Sequence, residues 1–236
     1  MHQPKVRRLV LFDVDGTLVN VYGAGRKALE EAYLDVFGRD DAAAHLDPVW
    51  FAGKTDLYIF RQVAISAGIP SWHYERLYAD LESVYLDKLR ATVSCHPEKR
   101  LLPGIEPILC SLSRQDGVAV GLMTGNLEKG ARIKLDPWNL NVYFPSGGFG
   151  SDALERSDIG RIALERFERR LGMTIPPDRV LVVGDTVHDI SAARACGFAV
   201  LAVSTGWTDR SELQAAHPDV YLDDLSDTQA ALAAIV

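Results

Sequence analysis

Short, continuous apolar runs occur along the chain, and stretches with a helical period lie between them. The runs cover residues 9–12, 118–123, 180–183 and 199–203, and the first three are followed directly by Asp, Thr or Gly. Strands that carry apolar residues on both faces are buried on both sides, which is typical of a parallel sheet. These runs therefore predict four strands of one parallel sheet.

Helical patterns fill the intervals between the predicted strands. One apolar stripe with helical spacing covers 159–171, with Ser157 and Asp158 as N-cap candidates and Gly172 at its end. A second pattern covers 186–196, and the tail adds a final short strand and helix. Repeated strand–helix–strand units predict an α/β fold with a doubly wound, Rossmann-like parallel-sheet core.

Residues 20–100 carry a different pattern. Amphipathic helices are predicted over 28–37, 56–67 and 74–89. The stretch contains no convincing strand, and the core pattern resumes near residue 101. We therefore predict two domains, which are an α/β core of residues 1–19 and 101–236 and an inserted all-helical cap domain of residues 20–100.

The composition is that of an ordinary globular protein. The 236 residues are 47% hydrophobic and 24% charged, with a net charge of −7, so the chain can bury a substantial core. The negative charge argues against nucleic acid and anionic membrane as partners, because both are bound by a basic surface. An anionic substrate would need a local cation.

Cysteine usage and the N-terminus favour a reduced, cytoplasmic compartment. Cys95, Cys110 and Cys196 are scattered, without metal or redox spacing. The basic N-terminus resembles the start of a signal peptide, but Asp13 ends the apolar stretch after residues 9–12. No segment approaches the roughly 18 apolar residues that a transmembrane helix needs. The oligomeric state stays open.

Acidic or hydroxyl side chains follow three of the predicted strands. Asp13 and Asp15 come after the first strand, Thr124 after the second, and Asp185 and Asp189 after the third. In an open α/β sheet, ligands bind at the carboxyl ends of the strands. Converging carboxylates repel one another unless a cation is bound or a proton is shared. Oxygen ligands favour a hard ion, so the pattern predicts a Mg²⁺ site.

Each of these acids also has a simpler interpretation. An Asp-Gly pair after an apolar run is typical of a hairpin turn. Asp185 and Asp189 can cap a helix or lie favourably in its first turn. Those interpretations leave unexplained why every acid-rich end falls at the same end of the sheet. The joint pattern therefore favours a ligand site.

Three short motifs connect these positions to a known family. They are "DVDGTL" at 13–18, "MTGN" at 123–126 and "GDTVHD" at 184–189. In this order and spacing they resemble the first, second and fourth motifs of the haloacid dehalogenase superfamily. The resemblance covers almost the whole chain, and the helical insert is similar to that family's helical cap.

The resemblance implies a role for each matching residue. Asp13 would be the nucleophile that forms an aspartyl phosphate, because a carboxylate is already ionised at neutral pH. Asp15 would protonate the leaving alkoxide and later take a proton from water. Thr124, with Gly125 and Asn126 as substrate-binding neighbours, would hold the phosphoryl oxygens.

The same resemblance implies the ligands of a metal ion. Asp13, Asp185 and the carbonyl of Asp15 would bind Mg²⁺. Asp189 would support these ligands from a position farther from the ion. The ion would offset the repulsion between the nucleophile and the phosphate.

The chain differs from the family in the third motif, where a Lys usually stands. No Lys occurs between Lys134 and Asp185. Arg156, just before a helix expected to begin near Asp158, is the predicted replacement, because an Arg can bridge carboxylate and phosphate oxygens. Arg161 is the rival candidate, one turn inside that helix.

Asp15 also bears on the type of reaction. Dehalogenases of the superfamily do not need this acid, since a halide leaves without a proton, whereas an alkoxide needs one. The sequence therefore favours phosphoryl transfer, and it is similar to phosphoglycolate phosphatases that act on a small phosphorylated metabolite. Two alternatives stay open: a phosphosugar mutase of the β-phosphoglucomutase type, and a phosphate-binding protein that has lost turnover.

The predicted cap contains candidates for substrate recognition. Residues 51–60, "FAGKTDLYIF", place Lys54, Thr55 and Asp56 at the start of a helix and resemble the G-x-T-D stretch of phosphoglycolate phosphatase caps. Lys54 and Thr55 are the predicted substrate contacts, and Arg26 is a further candidate. The alternative is that Thr55 caps the helix and Lys54 faces water.

Two sequences that resemble nucleotide-binding motifs are rejected. In "GKT", residues 53–55, Pro48 stands where a P-loop requires Gly. "GAGRKA", residues 23–28, fits a dinucleotide-binding motif but does not directly follow the first strand. His188 is expected to point away from the site.

Overall fold

The computed structural model describes residues 6–42 and 53–236. Its strands are β1 Arg8–Phe12, β2 Val19–Asn20, β3 Arg100–Leu101, β4 Val118–Thr124, β5 Gly147–Phe149, β6 Val180–Gly184, β7 Ala199–Val203 and β8 Val220–Leu222. One six-stranded sheet has the order β5–β4–β1–β6–β7–β8, and its neighbouring strands are all parallel. β1 therefore lies at the centre, between β4 and β6.

Helices connect these strands and cover both faces of the sheet. The α-helices are α1 Ala24–Phe37, α2 Asp56–Ser66, α3 Ser71–Cys95, α4 Ile105–Leu112, α5 Glu128–Leu135, α6 Arg156–Leu171, α7 Val187–Ala195, α8 Arg210–Ala215 and α9 Thr228–Ile235. Short 3₁₀ helices lie at Asp136–Trp138, Leu140–Tyr143 and Pro177–Arg179. In the part of the chain that is described, every helix is too short or too polar to cross a bilayer.

The continuous apolar runs form strands because both faces of the sheet are covered. Val10 and Phe12 of β1 pack with α4, α5 and α9 on one face, whereas Leu9 and Leu11 pack with α6, α7 and α8 on the other. This arrangement confirms the predicted α/β, doubly wound core. All four predicted runs are strands, and the tail adds β8 and α9 as expected.

The edge strand β5 was not predicted. Two of its three residues are glycine, so neither an apolar run nor an alternating pattern marks it. Its pairing with β4 aligns Leu122 with Gly147 and Thr124 with Phe149. The chain that follows β5 is thereby brought against the end of β4.

The start of α6 differs from the prediction. The helix begins at Arg156, after Glu155, and no side chain caps it. Ser157 and Asp158 lie inside its first turn, so their prediction as N-caps is wrong. The end of the helix is as predicted, with Gly172 in the left-handed conformation at φ 63°.

The segment between β2 and β3 forms helices around an apolar core of its own. Tyr33 of α1, Phe60 of α2 and Leu89 of α3 are almost fully buried in that core. Leu127 and Ile133, at and after the start of α5, belong to the same cluster. The helical segment therefore rests on α5 of the core.

A two-stranded antiparallel ribbon of β2 and β3 marks the place where the chain leaves and rejoins the sheet region. The expectation that residues 20–100 contain no strand is therefore wrong at both ends. Strands of two residues are too short to show an alternating pattern. The division into a core of residues 1–19 and 101–236 and a cap of residues 20–100 stays a prediction.

Candidate active site

The carboxyl ends of the three central strands meet at one edge of the sheet. Asp13 follows β1, Thr124 ends β4, and Asp185 follows β6. The backbone N–H of Asp13 donates to the carbonyl of Val183 at 2.9 Å, so the ladder between β1 and β6 continues to the acid itself. A cavity of about 310 Å³ opens between this edge and the helical segment. The side chains at the strand ends form its floor.

Three buried carboxylates face one another there. One ligand oxygen from each of Asp13, Asp185 and Asp189 lies within 4.8 Å of the others. The hydroxyl of Thr17 donates to Asp185 Oδ1 at 3.0 Å. Asp189 is also part of a capping box at the start of α7, where its Oδ2 accepts from the N–H (3.0 Å) and the hydroxyl (2.7 Å) of Thr186. Both the site interpretation and the helix-cap interpretation of Asp189 therefore describe its geometry.

Arg156 neutralises part of this cluster. Its Nη2 lies 3.0 Å from Asp13 Oδ1 and 2.5 Å from Asp189 Oδ1. Its Nη1 donates to the carbonyl of Gly53 at 3.2 Å, which connects the site to the turn before α2. Arg161 instead pairs with Asp158 on the surface of α6 at 2.9 Å. Arg156, and not Arg161, is thus the arginine that reaches Asp13.

The electrostatics of the cluster favour a cation. The pKa of Asp13 is raised to about 6, chiefly by burial; the charge of Arg156 opposes this rise, and the charges of Asp189 and Asp15 add to it. Burial, followed by the charges of Asp189 and Asp13, also raises the pKa of Asp185 well above its ordinary value. One arginine is too little charge for three buried carboxylates. An all-oxygen cluster of this kind fits a hard divalent ion.

Asp15 stands beside the acidic cluster in a hydrogen-bond network of its own. Its Oδ2 accepts from Lys134 Nζ at 2.6 Å and from Asn126 Nδ2 at 2.8 Å. Lys134 Nζ also donates to Asn126 Oδ1 at 2.6 Å. The Nδ2 and the backbone N–H of Asn126 donate to the hydroxyl oxygen of Thr124, at 2.8 and 3.3 Å. The motif "MTGN" therefore supports Asp15 directly.

Lys134 is a site residue that the sequence patterns do not single out. Its side chain is only 7% exposed, on a face of α5 that is otherwise made of small and apolar residues. One sequence signal could have found it: Lys134 lies between Ile133 and Leu135 and three residues after Ala131, which is an apolar setting for a charged side chain. Because charged side chains are rarely buried without a partner, a lysine in that setting indicates a buried ion pair.

Gly125 lies where two parts of the chain approach closely. A Cβ at this position would be 2.2 Å from the carbonyl oxygen of Lys54 and 2.9 Å from Arg156 Nη1. The backbone N–H of Asp56 donates to the carbonyl of Gly125 at 2.7 Å. The absence of a side chain lets the turn before α2 rest on the loop after β4.

The residues at the start of α2 have different surroundings. The hydroxyl of Thr55 accepts from the N–H of Tyr58 at 3.2 Å and lies 3.0 Å from the carbonyl of Leu154, to which it donates. Thr55 is thus the N-cap of α2 and does not line the cavity, in agreement with the helix-cap alternative. Lys54 lines the cavity.

Asp56 and Arg26 also line the cavity. The carboxylate of Asp56 accepts from the N–H of Leu127 at 2.8 Å, and burial raises its pKa to about 6, against the charge of Lys134. Arg26 pairs with Glu30 along α1 at 2.8 Å. Asp56 was predicted only as part of a helix start, and its carboxylate turns inward.

His188 lies at the start of α7 with an exposed side chain. It is not among the residues that line the cavity, and its ring packs against Gly53. Pro48 and Phe51, which enter the sequence arguments on the stretch before α2, lie outside the described residues.

The chain is similar to known proteins over most of its length. A sequence model of haloacid dehalogenase-like hydrolases matches residues 7–197. A phosphoglycolate phosphatase of Synechococcus elongatus is 29% identical over 218 residues, which is 92% of this chain and 93% of the relative. A phosphoglycolate phosphatase of Agrobacterium fabrum is 30% identical over 228 residues, which is 95% of this chain and 91% of the relative.

A solved structure shares the fold. The crystal structure of CbbY from Rhodobacter sphaeroides in complex with phosphate superposes with a TM-score of 0.70 at 20% identity. The superposition covers 93% of this chain and 95% of the CbbY chain.

Proposed function

Because this chain belongs to the haloacid dehalogenase-like hydrolases, we propose that it is a Mg²⁺-dependent phosphatase that hydrolyses a small phosphate monoester through an aspartyl-phosphate intermediate. The observation that carries the proposal is that Asp13 and Asp185 meet at the floor of a cavity, with the buried Asp189 within 4.8 Å of both. Asp15 lies beside them with its carboxylate held by two donors.

In the first step, Asp13 attacks the phosphorus of the ester. A bond forms between a carboxylate oxygen of Asp13 and phosphorus, and the bond from phosphorus to the ester oxygen breaks. Asp15, protonated at this stage, transfers its proton to the leaving oxygen, which therefore departs as a hydroxyl group and not as an alkoxide. The enzyme then carries an aspartyl phosphate.

In the second step, water attacks the same phosphorus from the side that the alcohol has left. The carboxylate of Asp15 takes a proton from that water, and the bond between phosphorus and Asp13 breaks. Inorganic phosphate and the carboxylate of Asp13 are restored, and Asp15 again carries a proton.

Phosphoryl oxygens would be held by the loop after β4 and by Arg156. Because the hydroxyl oxygen of Thr124 already accepts from Asn126, its own proton is directed elsewhere and can be donated to the substrate. Arg156 lies 3.0 Å from the nucleophile and can bridge it to a phosphoryl oxygen. Gly125 and Asn126 lie on the same loop and would bind the substrate together with Thr124.

The metal site would be formed by Asp13, Asp185 and the carbonyl of Asp15. Both carboxylate oxygens of Asp189 already accept hydrogen bonds, from Arg156 and from Thr186. Asp189 would therefore hold Arg156 and the start of α7 in place. When bound, Mg²⁺ supplies the positive charge that lets an anionic nucleophile approach an anionic phosphate.

The helical segment of residues 20–100 would act as a cap that selects the substrate. Its residues Arg26, Lys54 and Asp56 line the cavity with the catalytic loops. A volume of about 310 Å³ suits a small molecule. Phosphoglycolate is the first substrate to test, since both relatives described above carry that name.

Phosphate release from an aryl phosphate and from phosphoglycolate tests the proposal. We expect release that requires Mg²⁺, stops with EDTA and returns when Mg²⁺ is added back. Asp13→Asn should lower it by a factor on the order of 10³ or more, with an unchanged circular dichroism spectrum. A protein that binds phosphate but releases none from a broad panel of esters would contradict the proposal and favour a binding protein.

A further inference from the structure

Lys134 occupies a buried position that the proposed reaction does not by itself explain. Its side chain is 7% exposed, and its ammonium group contacts Asp15 Oδ2 and Asn126 Oδ1, each at 2.6 Å. Burial of an ammonium group is costly unless it is paired. A hydrocarbon side chain would fill the same place on α5 without that cost. The buried charge therefore indicates that Lys134 has a role beyond packing.

We propose that Lys134 is the positioning residue for Asp15, holding its carboxyl group toward the leaving group of the substrate. The inference rests on the proposed function, because it assigns Lys134 a role through the acid that the reaction uses. It is supported by contacts that join residues 119 positions apart in the chain.

The contacts on Asp15 are one-sided. Lys134 Nζ and Asn126 Nδ2 both donate to Oδ2, whereas no described residue donates to Oδ1. Two donors on one oxygen fix the rotation of the carboxyl group, and Oδ1 stays available to a substrate in the cavity that Asp15 lines. Without them, a side chain that is 43% exposed would sample several rotamers.

The surroundings of Lys134 hold its ammonium group in place. The hydroxyl of Tyr85 and Lys134 Nζ lie on the same side of Gly25, at 3.6 and 3.8 Å from the position of an added Cβ. The buried carboxylate of Asp56 adds a second negative charge nearby. α1, α2 and α3 therefore enclose the group, so its position is defined from the cap side as well.

Two ester classes separate this role from direct substrate binding. A nitrophenolate leaves phosphorus without a proton, whereas an alkoxide needs one, so only the alkyl ester depends on Asp15 in the first step. The value of kcat/KM reports that first step, before water attacks the phospho-enzyme. Its ratio between an alkyl and an aryl phosphate therefore measures how well Asp15 is placed.

The variant Lys134→Met removes the ammonium group and keeps much of the volume. We expect kcat/KM for the best alkyl phosphate of the substrate panel to fall about 100-fold, and that for p-nitrophenyl phosphate to fall less than about 5-fold. In an Asp15→Asn background, the same change should cause no further loss with the alkyl ester, because the effect passes through Asp15.

The matched control is Lys129→Met on the same helix. Lys129 is 75% exposed on its side chain and pairs only loosely with Glu82, at 3.8 Å. The control removes the same charge from α5 and should change neither kcat/KM value. Circular dichroism and urea unfolding of both variants show whether they fold.

Three results would overturn the inference: equal losses of kcat/KM with both esters, a rise in KM alone, or a further loss in the Asp15→Asn background. If Lys134→Met does not fold, Lys134→Gln carries the same test with a smaller but still selective loss. Hydrolysis of the aryl phosphate by the parent protein, and its loss in Asp13→Asn, test the proposed function separately.

Discussion

Arg156 is the one cation whose contacts reach two of the three buried carboxylates among the described residues. It contacts Asp13 at 3.0 Å and Asp189 at 2.5 Å, and its own side chain is 9% exposed. Burial lowers its pKa, but the charges of Asp13 and Asp189 outweigh burial, and the net direction is upward. The guanidinium therefore stays charged at any pH at which the protein is folded.

Removing that charge should destabilise the fold. Arg156→Ala leaves Asp13 and Asp189 buried without a counter-charge, and we expect a loss of about 3–5 kcal/mol in the free energy of unfolding. Arg156→Lys keeps the charge but not the fork of donors and should lose less. Urea unfolding measures both.

Arg161→Ala on the same helix is the control for this prediction. Arg161 is exposed and pairs with Asp158, so its removal should cost less than about 0.5 kcal/mol. A loss in Arg161→Ala as large as that in Arg156→Ala would contradict the assignment.

The N-terminus of helix α7 helps to position the residues of this site. α7 begins with Thr186, whose hydroxyl accepts from the N–H of Asp189 while the carboxylate of Asp189 accepts from Thr186. The same carboxylate holds Arg156. The helix N-cap of α7 therefore links the stability of that helix to the position of Arg156.

Thr186→Ala should lower both stability and activity. We expect about 1 kcal/mol less free energy of unfolding, together with a clear fall in kcat, because Asp189 loses a donor. Asp227→Ala at the start of α9 removes an exposed N-cap and should cost a similar free energy with unchanged kcat. Equal kcat in the two variants would show that the N-cap of α7 does not influence the reaction.

The loop after β4 and the turn before α2 depend on a close approach at Gly125. Gly125→Ala places a methyl group 2.2 Å from the carbonyl oxygen of Lys54, so the turn must move away. We expect a loss of about 1–3 kcal/mol in stability and a rise in KM, measured by urea unfolding and steady-state kinetics.

Gly130→Ala, in α5, is the comparison for the change at Gly125. An added Cβ there would meet Leu89 at an ordinary 3.5 Å. Because alanine favours a helix over glycine, the variant should be neutral or more stable by about 0.5–1 kcal/mol, with unchanged KM. A raised KM in Gly130→Ala would mean that the effect at Gly125 is not one of close approach.

The molecule as a whole gathers negative charge at one edge of its sheet. The pKa of Asp13 is raised to about 6, chiefly by burial, above its value in the unfolded chain. The folded state then holds more protons than the unfolded state between about pH 4 and pH 6, so the ion-free protein loses stability as pH rises through that window. Asp185 acts in the same direction.

A bound Mg²⁺ should reverse this loss, since it needs ionised carboxylates. We expect Mg²⁺ at about 100 times its Kd to add about 2.7 kcal/mol and raise Tm by about 5–10 °C at pH 7.5. The shift should be much smaller at pH 5, where Asp13 is largely protonated. Thermal unfolding with NaCl at matched ionic strength is the control, and an equal shift at both pH values would contradict the prediction.

Much of the fold was predictable because it follows from local patterns. Continuous apolar runs mark β4, β6 and β7 because a strand covered on both faces must be apolar throughout. β5 was missed because glycine leaves no such pattern. The start of α6 was missed because no side chain caps it.

The amino-acid sequence by itself determined β1, β4, β6 and β7, the helices α6 and α7, and which acids follow which strand. Those features depend on neighbours along the chain, whose spacing can be read directly. Only the tertiary structure decided that Arg156 rather than Arg161 reaches Asp13, that Thr55 is used as a helix cap, and that Lys134 holds Asp15. The Arg156–Asp13 and Lys134–Asp15 contacts join residues at least 119 positions apart, and no local pattern records such a meeting. The cap contact of Thr55 with Tyr58 is local, and the structure decided between it and the substrate contact that the sequence also allowed.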